Sequence, residues 1–209
     1  MHICTGTACQ YRPMPAGPEF VRPSPAHSGP IHLASPDPVW PQQYASVGSC
    51  IAKALGPVAV RVEHVGSTSV PGLAAKPIID VLLLVPDPAN EAAYVPPLEA
   101  AGFLLHLREP DWHQHRVLKA HDPEVNLHVF AEGSEEAERM LLFRDRLREH
   151  GADRRRYEKT KRRLAARHWN RVQDYADAKS DVVEAIIART TSAKRTGAPL
   201  QITASSHRA

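Results

Sequence analysis

Nine residues, Pro77-Ile-Ile-Asp-Val-Leu-Leu-Leu-Val85, constrain this chain more than any other stretch. Asp80 apart, they are apolar at successive as well as alternate positions, which describes a strand buried on both faces and so the interior of a sheet. A lone carboxylate there is costly unless it is paired, hydrogen-bonded or metal-bound. The fold must therefore bring a compensating group to Asp80.

The flanking patterns supply the rest of a layered domain. Trp40, Tyr44, Val47, Ile51 and Leu55 recur at helical spacing between Asp37-Pro38 and Gly56-Pro57 and predict an amphipathic helix that covers a sheet. Residues 58–65 read as a strand, residues 90–101 as a helix interrupted by Pro96-Pro97, and residues 103–108, 115–119 and 125–130 as a meander of three short strands. After Gly133 helices follow: one capped by Ser134 to about His150, one capped by Asp153 to about His168, and a third from about Tyr175 to Arg189. Strands followed by helices indicate an α+β or mixed α/β fold.

The ends read differently. Six prolines before Ile31 and little apolar periodicity mark residues 1–30 as a disordered leader, and the small, polar residues 191–209 as a tail of the same kind. Residues 31–190 are then a single domain. Cys4, Cys9 and Cys50 are too few and too oddly spaced for a disulfide framework, and His2 with Cys4 and Cys9 is an incomplete zinc set. No apolar run is long enough to cross a bilayer and Met1 to Cys9 lacks the layout of a signal peptide, so the expected location is cytoplasmic, without a membrane partner.

A net charge of +3 does not by itself call for nucleic acid. Between Arg139 and Lys179 there are fourteen Lys or Arg against six Asp or Glu. Without interleaved exposed aromatics that excess reads as a solvated helical face, and a nucleic-acid partner is not expected. His113, His115 and His121 with Asp111 and Asp122 form a local cluster, but at a loop-to-strand junction lacking a second anchored pair of zinc ligands. No P-loop, Gly-x-Gly-x-x-Gly or nucleophile elbow occurs.

Chemistry concentrates around Asp80. Gly66-Ser67-Thr68 follows a strand directly, with Ser67 thirteen residues before Asp80. Glycine permits close backbone approach, the hydroxyls and adjacent amides can hold a phosphate, and a carboxylate on the neighbouring strand can bind the divalent cation that bridges it. Lys76 either screens such a phosphate or pairs with Asp80 or Glu63. By strand alternation either Glu63 or His64, but not both, shares the site's face; His64 and His128 are the expected inward polar partners, with ordinary core histidines as the alternative. Arg144, Asp145 and Arg148, beside Tyr157 and Lys161, form either a basic wall over the pocket or an interhelical salt-bridge network.

The run RVEHVGSTSVPGLAAKPIIDVLLLV (Arg61 to Val85), followed by NLHVF (Asn126 to Phe130), LLFRDRLREH (Leu141 to His150), Tyr157 with Lys161, and Tyr175 with Lys179, resembles the GrpB family, an uncharacterised family within the nucleotidyltransferase superfamily. The resemblance spans roughly Ile31 to Arg189. It implies a mixed β-sheet flanked by helices with a C-terminal helical portion, and Gly-Ser in the first strand-to-helix turn. It also implies a Mg²⁺- or Mn²⁺-dependent transferase that moves a nucleoside monophosphate from a nucleoside triphosphate to a small acceptor. On that pattern Asp80 and Glu63 would hold the metal, and Gly66, Ser67, Thr68, Lys76, Arg144 and Lys161 the phosphates, with Asp80, Lys76, His64 and His128 serving catalysis. The chain departs from the superfamily's acid pattern: Leu82 stands where a second acid is usual, and Asn126-Leu127-His128 carries no third. The alternative is therefore a ligand-binding or auxiliary domain that assists a partner enzyme, such as the dephospho-CoA kinase to which related domains are fused. The sequence does not fix the oligomeric state.

Overall fold

The computed structural model describes residues 17–23 and 28–196, of which 192–196 are described in backbone only. Strand β1 (Glu19–Phe20) precedes helix α1 (Val39–Leu55); β2 (Arg61–Val65) and β3 (Ile79–Val85) follow, then helix α2 (Val95–Ala100) and strands β4 (Leu104–Glu109), β5 (His115–His121) and β6 (Glu124–Ala131). Four helices complete the chain: α3 (Glu135–Glu149), α4 (Gly151–Ala165), α5 (Val172–Asp177) and α6 (Ser180–Thr196). The six strands form one mixed sheet in the order β1-β4-β5-β6-β3-β2, in which only β3 and β6 run parallel.

Strand β3 is interior, as its composition demands, with β6 on one side and β2 on the other. Its alternate residues serve two cores. Ile79, Val81, Leu83 and Val85 pack with Trp40, Val47, Ile51 and Leu55 of α1 and Leu98 of α2, while Leu82 and Leu84 pack with Val65, Phe130, and Ala137 and Leu141 of α3. Each such fully buried aliphatic side chain contributes roughly 2 kcal/mol, enough for the strand to tolerate one polar position. A third cluster joins Val70 and Leu73, just after β2, to Leu147, Tyr157, Val182 and Ile186 of the C-terminal helices. That cluster lays the helices against the segment between β2 and β3.

Several local expectations are corrected. Pro96 and Pro97 open α2 instead of interrupting a helix, because the first helical turn needs no N–H donors. Ser134 precedes α3 but makes no capping hydrogen bond; its hydroxyl is buried without a partner. Asp153 lies inside α4, where Arg146 (2.7 Å) and Arg189 (2.6 Å) bind its carboxylate, so it ties three helices together instead of capping one. The expected third helix is two, α5 and α6, with a break at Ala178-Lys179, and α6 runs on to Thr196. Within the expected leader, Glu19 and Phe20 pair with Arg108 and Leu107 as an edge strand. His2, Cys4, Cys9 and most of the 191–209 tail lie outside the described residues.

Candidate functional site

The registers on either side of β3 decide which residues meet Asp80. Asp80 is opposite Val65 on β2 and Asn126 on β6, and Leu82 is opposite Glu63 and His128. Asn126 Nδ2 donates to Asp80 Oδ1 at 2.9 Å, and His128 Nε2 stands 4.0 Å from the same oxygen. Gly66, immediately after β2, has φ +67° and ψ −171°, and a Cβ on it would collide with Asp80 Oδ2 and stand 2.7 Å from the Asp80 Cβ. The backbone of the turn thus lies directly against the carboxylate, which only glycine allows.

Three ammonium groups surround this acid. The charges of Lys179, Lys76 and Lys161 all act on Asp80. Lys161, on α4, is buried and donates to Ser67 Oγ (2.8 Å) and to the Ala74 carbonyl (2.5 Å). Lys179 occupies the break between α5 and α6, and Lys76 precedes Pro77 at the entry to β3. Lys161 stands over the Tyr157 ring (5.0 Å to its centroid) and Lys179 over the Tyr175 ring (4.5 Å). Each is a Tyr-x-x-x-Lys pair one helical turn apart, in which the ring steers the ammonium. Tyr157 also approaches Ser67.

Burial shifts these groups away from their charged forms. It lowers Lys161 to about 7, helped by the nearby Lys179 charge, and Lys179 to about 8 against the attraction of Asp80. It lowers Lys76 as well, again opposed by Asp80. Burial raises Asp80, opposed by the Asn126 hydrogen bond and the lysines, although the side chain keeps 28% of its accessibility. What emerges is a partly open cradle in which one carboxylate faces three under-solvated ammonium groups and the Ser67 hydroxyl. Such an arrangement attracts an anion.

The family model described as GrpB protein matches residues 30–189. The chain belongs to the GrpB family. It is 53% identical to a UPF0157 protein of Halalkalibacterium halodurans over 163 residues, which cover 78% of this chain and 84% of that one. A UPF0157 protein of Streptomyces coelicolor is 45% identical over 165 residues, covering 79% and 87%. A crystal structure of a conserved GrpB protein from Enterococcus faecalis aligns with TM-score 0.64 at 26% identity, covering 76% of this chain and 98% of that one.

Within this GrpB fold the residues expected at the site divide. Asp80, Gly66, Ser67, Lys76, Lys161 and His128 come together. His64 does not: it pairs with Val81 and so faces α1, where it stacks on Tyr44 (4.5 Å), meets Thr68 Oγ1 at 3.1 Å and is held neutral by burial, at about 4. Thr68, whose hydroxyl donates to the Ile78 carbonyl, is buried in that same contact and does not face the cradle. Glu63 shares the sheet face with Asp80, but its carboxylate is bound by Arg144 (2.7 Å) and Arg61 (2.9 Å). Arg144 is likewise committed, to Glu63, Asp145 and the His64 carbonyl, and joins α3 to β2 instead of presenting its guanidinium to a phosphate.

The proposed metal ligands do not fit a cation held by the protein. Glu63 is neutralised by arginines, Leu82 is fully buried beneath α3, and no group of three or more His, Cys, Asp or Glu among the described residues is arranged to hold a metal. Asp80 alone remains, within a shell of lysines that repels divalent cations. Asn126, Lys179 and Tyr157 complete the cradle, and residue-type reasoning assigned a role to none of them. The repeated Tyr-x-x-x-Lys spacing was the signal for Lys179. Among the described residues no helix is long and apolar enough to cross a membrane.

Proposed function

We propose that this protein binds a phosphorylated small molecule, with nucleotides the leading class, and that the phosphates sit on Lys161, Lys179, Lys76 and Ser67 beside Asp80. The observation that carries this reading is the buried Lys161 donating to Ser67 Oγ at 2.8 Å, with Lys179 and Lys76 acting on the same carboxylate, Asp80. Burial leaves the ammonium groups poorly solvated, and a polyphosphate supplies charge-assisted hydrogen bonds to them. Any Mg²⁺ or Mn²⁺ enters with the polyphosphate, since the protein offers it one carboxylate.

Transfer of a nucleoside monophosphate is the second reading, favoured by the open His128 Nε2 beside Asp80. The two-metal form of that reaction depends on several carboxylates to hold the ions, and the buried Leu82 and the amide of Asn126 occupy the positions that would supply them.

Thermal shift with inorganic pyrophosphate and with each nucleoside triphosphate, with and without Mg²⁺, tests the binding reading. Stabilisation that Lys161→Met and Lys179→Met each remove is expected. A chain indifferent to all of these anions does not have the proposed site. Pyrophosphate release from a triphosphate in the presence of a hydroxyl acceptor would establish transfer.

A further inference from the structure

A row of polar side chains leaves the Asp80 cradle and crosses the open part of the sheet. His128 Nδ1 meets His115 Nε2 at 3.1 Å, and His115 Nδ1 meets Glu109 Oε2 at 2.8 Å. The two imidazole planes are within 8° of parallel with centroids 5.3 Å apart, so the rings meet edge to edge through their nitrogens and not face to face. The sheet dictates the row: Asp80, His128, His115 and Glu109 lie on β3, β6, β5 and β4, with Glu109 opposite His115 in the register. His115 is 6% exposed in its side chain, stacked on Phe130 (4.4 Å) with the edge of Trp112 at 5.2 Å. It has no freedom to turn.

This row has a direction. The Glu109 carboxylate accepts from His115 Nδ1, and a neutral His115 then offers Nε2 as an acceptor. That acceptor requires the proton of His128 to be on Nδ1, which leaves His128 Nε2 bare. We infer that His128 is a proton acceptor for the ligand, positioned by His115 and Glu109, and that the molecule bound here carries a hydroxyl or amine next to the phosphate held by the lysines. With 4.0 Å between His128 Nε2 and Asp80 Oδ1, one protic atom reaches both. When that atom gives up its proton, the O–H or N–H bond breaks with the electron pair left on the ligand, the proton passes to Nε2, and the positive charge formed on His128 is stabilised through His115 by Glu109, as a carboxylate supports the histidine of a hydrolytic triad.

The groups facing His128 hold its ring neutral before a ligand binds. Asp80 faces it from β3, and His115 and Lys119 from β5; burial before all else lowers His128 to about 3, so the ring is neutral at neutral pH and carries a single proton, whose place the row decides. The side chain nevertheless keeps 24% of its accessibility, which a core histidine holding strand register does not need. The phosphate-binding proposal supplies the ligand class; the tautomer follows from the row alone.

Long-range proton–nitrogen correlation spectra of the ¹⁵N-histidine-labelled full chain test the inference directly. The expected result is a protonated Nδ1 and an unprotonated Nε2 on His128, with Glu109→Ala moving Nε2 into the protonated range as the ring reverts to its ordinary tautomer. A protonated Nε2 in the unaltered chain, or a tautomer indifferent to Glu109→Ala in a variant with an otherwise preserved amide spectrum, overturns it. If Glu109→Ala does not fold, the tautomer of the unaltered chain decides. Pyrophosphate added to a uniformly ¹⁵N-labelled sample separates the two proposals: no shift at the Lys161 and Lys179 amides overturns the phosphate cradle while the tautomer still stands or falls alone.

Discussion

Gly66 and Asp80 are in such close contact that the hydrogen on the glycine Cα occupies the only space between the turn and the carboxylate; a methyl group there would overlap Oδ2 and stand 2.7 Å from the Asp80 Cβ. The backbone at Gly66, φ +67° and ψ −171°, belongs to a region that other residues rarely enter. Gly66→Ala is therefore expected to cost at least about 1–3 kcal/mol from strain alone. It should also displace Asp80 from Asn126 and weaken pyrophosphate binding. Urea denaturation with calorimetric titration checks both, and unchanged stability would contradict so tight a contact.

Lys161 and Lys179, lowered to about 7 and about 8 by burial, should regain protons when an anion arrives. Pyrophosphate binding at pH 8 is expected to take up protons, visible as a dependence of apparent enthalpy on the ionisation enthalpy of the buffer. The uptake should shrink towards pH 6, where both are already charged. The same shifts act on the apo protein. Between the folded values and the unfolded value of about 10.4 the unfolded chain binds more protons, so this contribution to stability rises with pH across that window. Lys161→Met should flatten that rise; a proton-neutral titration at pH 8 would contradict the desolvated lysines.

How much of this was legible before folding depends on how local each feature is. The unbroken apolar run placed β3 inside the sheet, and the anomaly of Asp80 within it marked the site. The choice between Glu63 and His64 was not local: it rests on Val65 falling opposite Asp80, a register created by pairing two strands. Asn126 stands in the sequence as a missing acid, yet its amide supplies a hydrogen bond that a carboxylate could not. His115 belonged to a histidine cluster that suggested zinc. Its partner His128 is thirteen residues away and becomes adjacent only when β5 pairs with β6. Lys179 depends on the break between α5 and α6, which helical periodicity alone bridged.

Arg144 separates architecture from binding. Its guanidinium is spent on Glu63 at 2.7 Å, Asp145 at 2.7 Å and the His64 carbonyl at 3.0 Å, and its side chain is 7% exposed. Arg144→Met leaves Glu63 with Arg61 alone and the carbonyl without this donor. A loss of about 3 kcal/mol in urea unfolding is expected, with pyrophosphate affinity unchanged at temperatures where the variant stays folded. A variant of full stability that no longer binds pyrophosphate would return Arg144 to the phosphate site.

Asp80→Asn distinguishes a counter-ion from a metal ligand. In the apo protein the carboxylate balances Lys161, Lys179 and Lys76, and a phosphate entering the cradle meets its negative charge as a repulsion. The amide keeps the shape and removes that charge. At pH 6, where the lysines remain protonated, metal-free pyrophosphate should bind the Asp80→Asn variant about tenfold more tightly, which corresponds to about 1.4 kcal/mol and to one charge seen through a well-screened site. The same change withdraws Asp80's support for the protonated lysines, so the gain should fade towards pH 8. If the acid instead holds a cation on which the phosphates depend, the substitution abolishes binding and Mg²⁺ cannot restore it. Calorimetry with and without Mg²⁺ at the two pH values therefore reads the sign of Asp80's contribution, and a loss at pH 6 would rule out the counter-ion role.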